Sequence, residues 1–240
     1  MKNHFLRGMS HGIPIALGYL SVSFGFGILA AKSGLSATVA AIISASNLTS
    51  AGQAAGLSII TAGGTLIEMA LTQFTINLRY SLMAISLSQK LDKSFSAPKR
   101  LLASYGITDE IFAVCSAQQE PLTPSYMFGM ILIAFLGWTS GTLLGAEAGH
   151  LLPASVSGAM GIVLYGMSLA IIIPPSRKER NVLAVVIVAA AVSIIFKFLI
   201  TTVSGGFAII ISAAAASAIG AALFPVKETD NEDERTVQNA

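Results

Sequence analysis

Glu68, Thr72, Thr75 and Arg79 recur at i, i+4, i+7 and i+11 inside a mostly apolar run from Thr65 to Leu87. On a 3.6-residue helix these positions form one narrow stripe, so a carboxylate, two hydroxyls and a guanidinium share a face. The run is long enough to cross a bilayer. A charge at the centre of such a helix costs about 2.5–3.5 kcal/mol, so the stripe is expected to face a bundle interior or a water-filled path. Arg79 keeps its charge and presents five N–H donors in a fixed fork. That fork suits a two-point grip on a carboxylate. The competing reading is a structural ion pair. Glu68 is a poor partner three turns away, which leaves Asp109 or Glu110 from another segment.

Those two acids lie in Gly106–Gln119, which is bounded by Gly106 and Pro121 and is too short to span. Thr108 is placed to cap a helix whose first turn holds Asp109 and Glu110. The acids could bind an ammonium group or carry a coupling proton. They could equally do no more than stabilise that turn, by about 0.3–1 kcal/mol. Asn47 and Gln53 fall in a polar interruption, Ser44–Gln53, within an otherwise apolar stretch. Their amides can bind a solute or satisfy freed backbone groups. Asn77 is on the opposite face from Arg79 if the helix is unbroken. Glu68 is expected to be protonated or hydrogen-bonded rather than to act.

Other chemistries find no support. His4, His11 and His150 are scattered in end regions, and Cys115 is the single cysteine, so neither a metal site nor an internal disulfide is implied. No Ser/His/Asp arrangement fits a hydrolase, and the Gly-x-Gly at Gly25–Gly27 opens no phosphate loop. Intramembrane proteolysis by Asp109 would need a second membrane aspartate, whereas Asp92, Asp230 and Asp233 lie in aqueous segments. No ATPase motif is present. The reading is a non-enzyme without cofactors.

The elements that must position these residues are helices in a bilayer. Of 240 residues, 54% are hydrophobic and 11% charged, where a soluble domain carries about 25% charged. Mean hydropathy is +0.75. A net charge of +2 with basic residues confined to loops gives nucleic acid no surface. Charge-free or nearly charge-free runs predict spans at 12–31, 65–87, 126–145, 151–174, 181–201 and 203–224. The first lacks a cleavage pattern and reads as a span rather than a signal peptide. Segments 36–64 and 106–119 read as broken or re-entrant, because non-helical backbone at membrane depth is tolerated only inside protein or beside a cavity. The expected fold is all-α and polytopic, with six full spans and two such segments.

Residues 1–226 read as one transmembrane domain, and 227–240 as a polar, acidic, disordered cytoplasmic tail. Met1–His11 reads as a short basic arm. The aqueous loops Gln89–Ser104 and Arg177–Arg180 carry the basic residues, which predicts both on the cytoplasmic side with both termini. Gly27-Ile-Leu-Ala-Ala and Gly141-Thr-Leu-Leu-Gly each close a span before a Ser/Ala-rich helix, a hint of duplicated architecture.

Asn77-Leu-Arg-Tyr-Ser-Leu82, a basic loop, and then Gly106-Ile-Thr-Asp-Glu-Ile-Phe-Ala113 resemble the AzlC-type branched-chain amino acid permease family. Ser50-Ala-Gly-Gln53 is similar to the family's Ala-Gly-Ala-Ser-Gln-Phe element, with Ala54 in place of the Phe. Tyr80 stands where the family commonly has His, so a titrating imidazole is not implied there. The resemblance runs from about Gly12 to Phe224. It implies a multi-pass cell-membrane exporter of branched-chain or other small neutral amino acids. It also implies a small AzlD-type membrane subunit as partner. In that setting Arg79 would hold the substrate carboxylate, and Asp109 or Glu110 the amine or a proton. Thr108, Asn47, Gln53 and Asn77 complete the candidate substrate-binding set. A non-transporting scaffold or chaperone subunit and a passive channel are the rival readings.

Overall fold

The computed structural model of the chain describes residues 4–149, 166, 169, 172–200 and 202–224. It divides into two compact units, Met1–Ile171 with Gly205–Phe207, and Ile172–Ser204 with Ala208–Ala240. The first unit is built on a pair of long helices, α1 (His4–Lys32) and α7 (Pro124–Ala148). Their contact is made by glycine. A Cβ on Gly8 or Gly27 would strike the α7 backbone, and one on Gly137, Gly141 or Gly145 would strike the α1 backbone at Ala16, Leu20 and Phe24. Lipid supplies no hydrophobic drive between helices, so close backbone approach through small residues is what holds such a pair. Phe26, Met130 and Trp138 fill the space beside this seam and are almost fully buried.

The basic arm expected at the N-terminus is helical from His4 onward, as part of α1. It has something to fold against: Arg7 Nη1 pairs with Glu120 Oε2 at 2.7 Å and Arg7 Nη2 donates to Gln118 Oε1 at 3.2 Å.

The segment 36–64 is broken, as its composition predicts. α2 (Ala37–Ser46) starts at Ser36, whose hydroxyl accepts from Val39 N, and ends before Asn47. Asn47 and Thr49 are extended, and Thr49 Oγ1 then caps α3 (Ser50–Thr61) by accepting from Gly52 N at 3.3 Å. The polar run is therefore the end of one half helix and the cap of the next. α4 (Leu66–Ser88) is continuous and is capped by Thr65, whose hydroxyl accepts from Glu68 N at 3.1 Å.

The expected aqueous loop after α4 contains a helix, α5 (Ala97–Tyr105), started by Ser96 and Pro98 and presenting Leu101 and Leu102 outward. A short helix, α6 (Asp109–Ser116), follows it. The ends of this excursion are stitched together. Asp92 N donates to Leu122 O at 2.9 Å and Leu122 N to Lys90 O at 2.8 Å. Lys90 Nζ also donates to the carbonyls of Ser116 and Gln118, closing the C-terminal end of α6. At its other end Tyr105 donates to Ala45 O near the break between α2 and α3, and Asp109 reaches Arg79. Arg79 precedes Ser88 by nine residues. At 1.5 Å per residue that is about 14 Å, roughly half the ~30 Å hydrocarbon thickness. The excursion thus begins and ends at one place, with its far end turned in toward Arg79 and the break between α2 and α3.

The second unit contains α8 (Arg180–Phe198) and most of α9 (Gly205–Leu223). Among the described residues four helices, α1, α7, α8 and α9, are long and apolar enough to cross a membrane, fewer than the six spans expected. α4 has the length, but Glu68, Gln73, Asn77 and Arg79 dilute its hydropathy. Most of the span expected at 151–174 lies outside the described residues, as do His150 and the tail 227–240.

Candidate functional site

The stripe on α4 faces inward at one end and opens at the other. Glu68 and Thr72 are buried, and Thr75 and Arg79 half-buried. Glu68 is hydrogen-bonded: its Oε1 accepts from Gly206 N at 3.0 Å, in the first turn of α9. Thr75 Oγ1 donates back to Leu71 O at 2.9 Å and is spent on its own helix. Arg79 Nη2 lies 3.0 Å from Asp109 Oδ2 and donates to Tyr80 Oη at 3.1 Å, with the guanidinium 4.9 Å from the Tyr80 ring centre. Nε of the same guanidinium is buried and has no hydrogen-bond partner. One nitrogen therefore makes both bonds while part of the fork is unused.

Asp109 and Glu110 open α6, where the helix dipole favours their negative charge. Thr108 caps that helix as the spacing predicts, its hydroxyl accepting from Ile111 N at 3.4 Å. The two acids diverge. Asp109 turns to α4, while Glu110 turns to α1, where Tyr19 Oη lies 2.5 Å from Glu110 Oε2 and 2.6 Å from Thr108 Oγ1. Tyr19 is buried and fixed edge-on against Trp138, ring centres 5.1 Å apart. The N-terminal turn of α6 is thereby tied to both α1 and α4.

The amides form two further groups. Gln73 Oε1 accepts from Asn47 Nδ2 and from Asn77 Nδ2, each at 3.3 Å, and Gln73 Nε2 donates to Gly52 O at 2.8 Å. A Cβ on Gly52 would fall 2.7 Å from Gln73 Oε1 and 2.6 Å from Thr49 Cγ2, so it would push the Gln73 amide out of this arrangement. Gln53 Nε2 donates to Ser44 Oγ at 2.8 Å, and Ser44 Oγ is 2.6 Å from Thr142 Oγ1 on α7. The Oε1 of Gln53 and the Oδ1 of Asn77 are buried without a partner.

Arg79, Thr108, Asp109 and Glu110 thus come together at one place. Asn47 and Asn77 meet through Gln73, on a different side of α4 from Arg79, as an unbroken helix requires. Gln53 joins neither group. Tyr19, Gln73, Ser44 and Thr142 participate although sequence reasoning passed over them. Gln73 carried a signal, being an amide among apolar residues within a span. Tyr19 carried little, since one tyrosine in a hydrophobic run is ordinary.

An all-helical integral membrane protein is defined by these features: spanning helices, interrupted helices, and buried polar side chains gathered where the interruptions fall. The chain belongs to the AzlC family, whose description is AzlC protein and which matches residues 14–152. Among relatives, the inner membrane protein YgaZ of Escherichia coli (strain K12) is 26% identical over 185 residues, 74% of this chain and 75% of that protein. An uncharacterized membrane protein of Archaeoglobus fulgidus is 30% identical over 174 residues, 71% of this chain and 75% of that protein. One from Helicobacter pylori (strain J99) is 25% identical over 181 residues, 74% and 78% of the two chains. No solved structure gives a significant match.

Proposed function

We propose that this protein is a transporter that exports branched-chain or other small neutral amino acids across the cell membrane, driven by a proton or ion gradient. The family resemblance supports the substrate class. The observation that carries the site is the half-used guanidinium of Arg79 beside two carboxylates. A zwitterion brings one negative and one positive group. Its carboxylate fits the open part of the Arg79 fork, and its ammonium fits the acids of α6. Asp109 occupies Nη2, so a bound carboxylate would share the guanidinium with it, and the substrate ammonium would balance the added negative charge, which at membrane depth would be costly alone. The carbonyls and amides around Asn47, Gln53 and Asn77 line the neighbouring break. The proposal includes a small AzlD-type subunit, which the charge-free, Gly/Ala-rich helices could accommodate.

Counterflow in liposomes with a panel of labelled amino acids, with and without the small subunit, tests this reading. Saturable, stereoselective exchange of small neutral amino acids is the expected result. Non-saturable flux would indicate a channel, and no flux in either condition a scaffold. Mild-detergent purification from cells expressing both proteins should retain the small subunit. Full transport by this chain alone would overturn an obligatory partner.

A further inference from the structure

Glu110 Oε2, Tyr19 Oη and Thr108 Oγ1 form a row with separations of 2.5 and 2.6 Å. A phenol has one proton and cannot donate to both neighbours at once. If Glu110 is ionised, Tyr19 must donate to the carboxylate, and the Thr108 hydroxyl donates to Tyr19. If Glu110 is protonated, its own O–H donates to Tyr19, and Tyr19 turns its proton to Thr108 Oγ1. The row therefore has two complete hydrogen-bond directions, and the protonation of Glu110 selects between them. Asp109, one residue away, has no such row: among the described residues its charged partner is Arg79, whose Nη2 lies 3.0 Å from Asp109 Oδ2.

We infer that the two adjacent acids divide the work, with Glu110 binding the transported proton, Tyr19 positioning it, and Asp109 remaining an ionised partner of Arg79. This rests on the transport reading and deepens it by assigning the coupling group. Among the described residues the titratable groups beside Glu110 are Tyr19 from α1 and Asp109 on its own helix, with Arg79 and Tyr80 of α4 one step further, against Asp109 and Tyr19. Thr108 couples the row to the backbone, because the same oxygen that takes the Tyr19 proton also caps α6 through Ile111 N. Each change in Glu110 thus alters the hydrogen bonds at the α6 N-terminus, where Asp109 meets Arg79.

The test uses the full chain in lipid nanodiscs, with infrared difference spectra of the protonated-carboxyl stretch recorded through a pH titration. This readout does not depend on transport. In spectra of the unmodified protein minus each variant, a titrating carboxyl component should be missing from Glu110→Gln and retained in Asp109→Asn. Tyr19→Phe keeps the ring against Trp138 and removes the donor to the ionised form. It should therefore move the midpoint of that component. A component unchanged in Glu110→Gln, or missing from Asp109→Asn instead, overturns the assignment. If Glu110→Gln does not fold, an unmoved midpoint in Tyr19→Phe overturns it instead. In liposomes, Glu110→Gln should lose proton-driven accumulation. Loss of exchange in the unmodified protein would refute the transport reading while leaving the infrared assignment to stand or fall separately.

Discussion

Asp109 engages Arg79 through a single guanidinium nitrogen, Nη2, at 3.0 Å, while the buried Nε of the same group has no partner. A side-on carboxylate would use two adjacent donors. Arg79→Lys keeps the charge and loses the fork, so it should weaken substrate binding in folded protein. Arg79→Gln should reduce affinity by a factor of about 30 or more, the consequence of losing a charged partner worth about 2 kcal/mol or above. Substrate-induced thermal stabilisation measures this. Normal affinity in folded Arg79→Gln would end the carboxylate grip. If Arg79 serves only as a structural partner, Arg79→Gln lowers thermal stability and Asp109→Asn in the same chain restores it.

The seam between α1 and α7 predicts a sharp contrast among glycines. Gly145→Val places its Cβ on the Phe24 backbone, and nothing flexible is there to yield. We expect a loss of about 1–3 kcal/mol or failure of the pair to form. Gly18, on α1, is exposed with no atom within 4 Å of the would-be Cβ, so Gly18→Ala should be neutral or slightly stabilising. Thermal unfolding in detergent separates the two. Equal stability of both variants would refute the close backbone contact.

Gln73 is the hub of the amide group. Gln73→Leu strands Gly52 O and removes the acceptor shared by Asn47 and Asn77. A cost of about 1–3 kcal/mol is expected. Thr75→Val, one half-turn on, removes only a bond to its own helix and should cost little. If the two variants melt together, the hub is not holding the break against α4.

Topology can be read with thiol reagents. Cysteines placed at Lys93 and Lys178 should both react from the cytoplasmic face. Cys115 is completely buried, so the native thiol should stay silent in folded protein. Reaction of the two sites from opposite faces would overturn the assignment of both loops to one side.

The interruptions were legible because polar residues in an apolar run have few places to go. Ser44–Gln53 had to break, and Thr108-Asp109-Glu110 had to begin a helix, for reasons of capping and dipole. The inward turn of Glu68 and Thr72 followed from helical spacing alone. Which partners those residues meet was not legible. Asp109 and Glu110 are neighbours with the same charge, and nothing local says that one turns to α4 and the other to α1. The Tyr19 contact depends on the crossing of α1 with α6, which glycine spacing does not determine. The N-terminal arm became helix because Glu120 and Gln118 sit beside Arg7, a coincidence of three-dimensional packing.

The bond from Gly206 N to Glu68 Oε1 joins residues 138 positions apart. At synthesis rates of about 5–20 residues per second, α4 waits roughly 7–28 s before that donor leaves the ribosome. During this interval the carboxylate lacks the helix terminus that holds it in the finished fold. A buried, ionised glutamate is costly in hydrocarbon. The contribution of the Gly206 donor is therefore missing until α9 arrives. A chain stopped at residue 200 should turn over faster in cells than the full protein, and Glu68→Gln should narrow that difference. Equal turnover of the stopped chain with and without the substitution would show that the early carboxylate imposes no such delay.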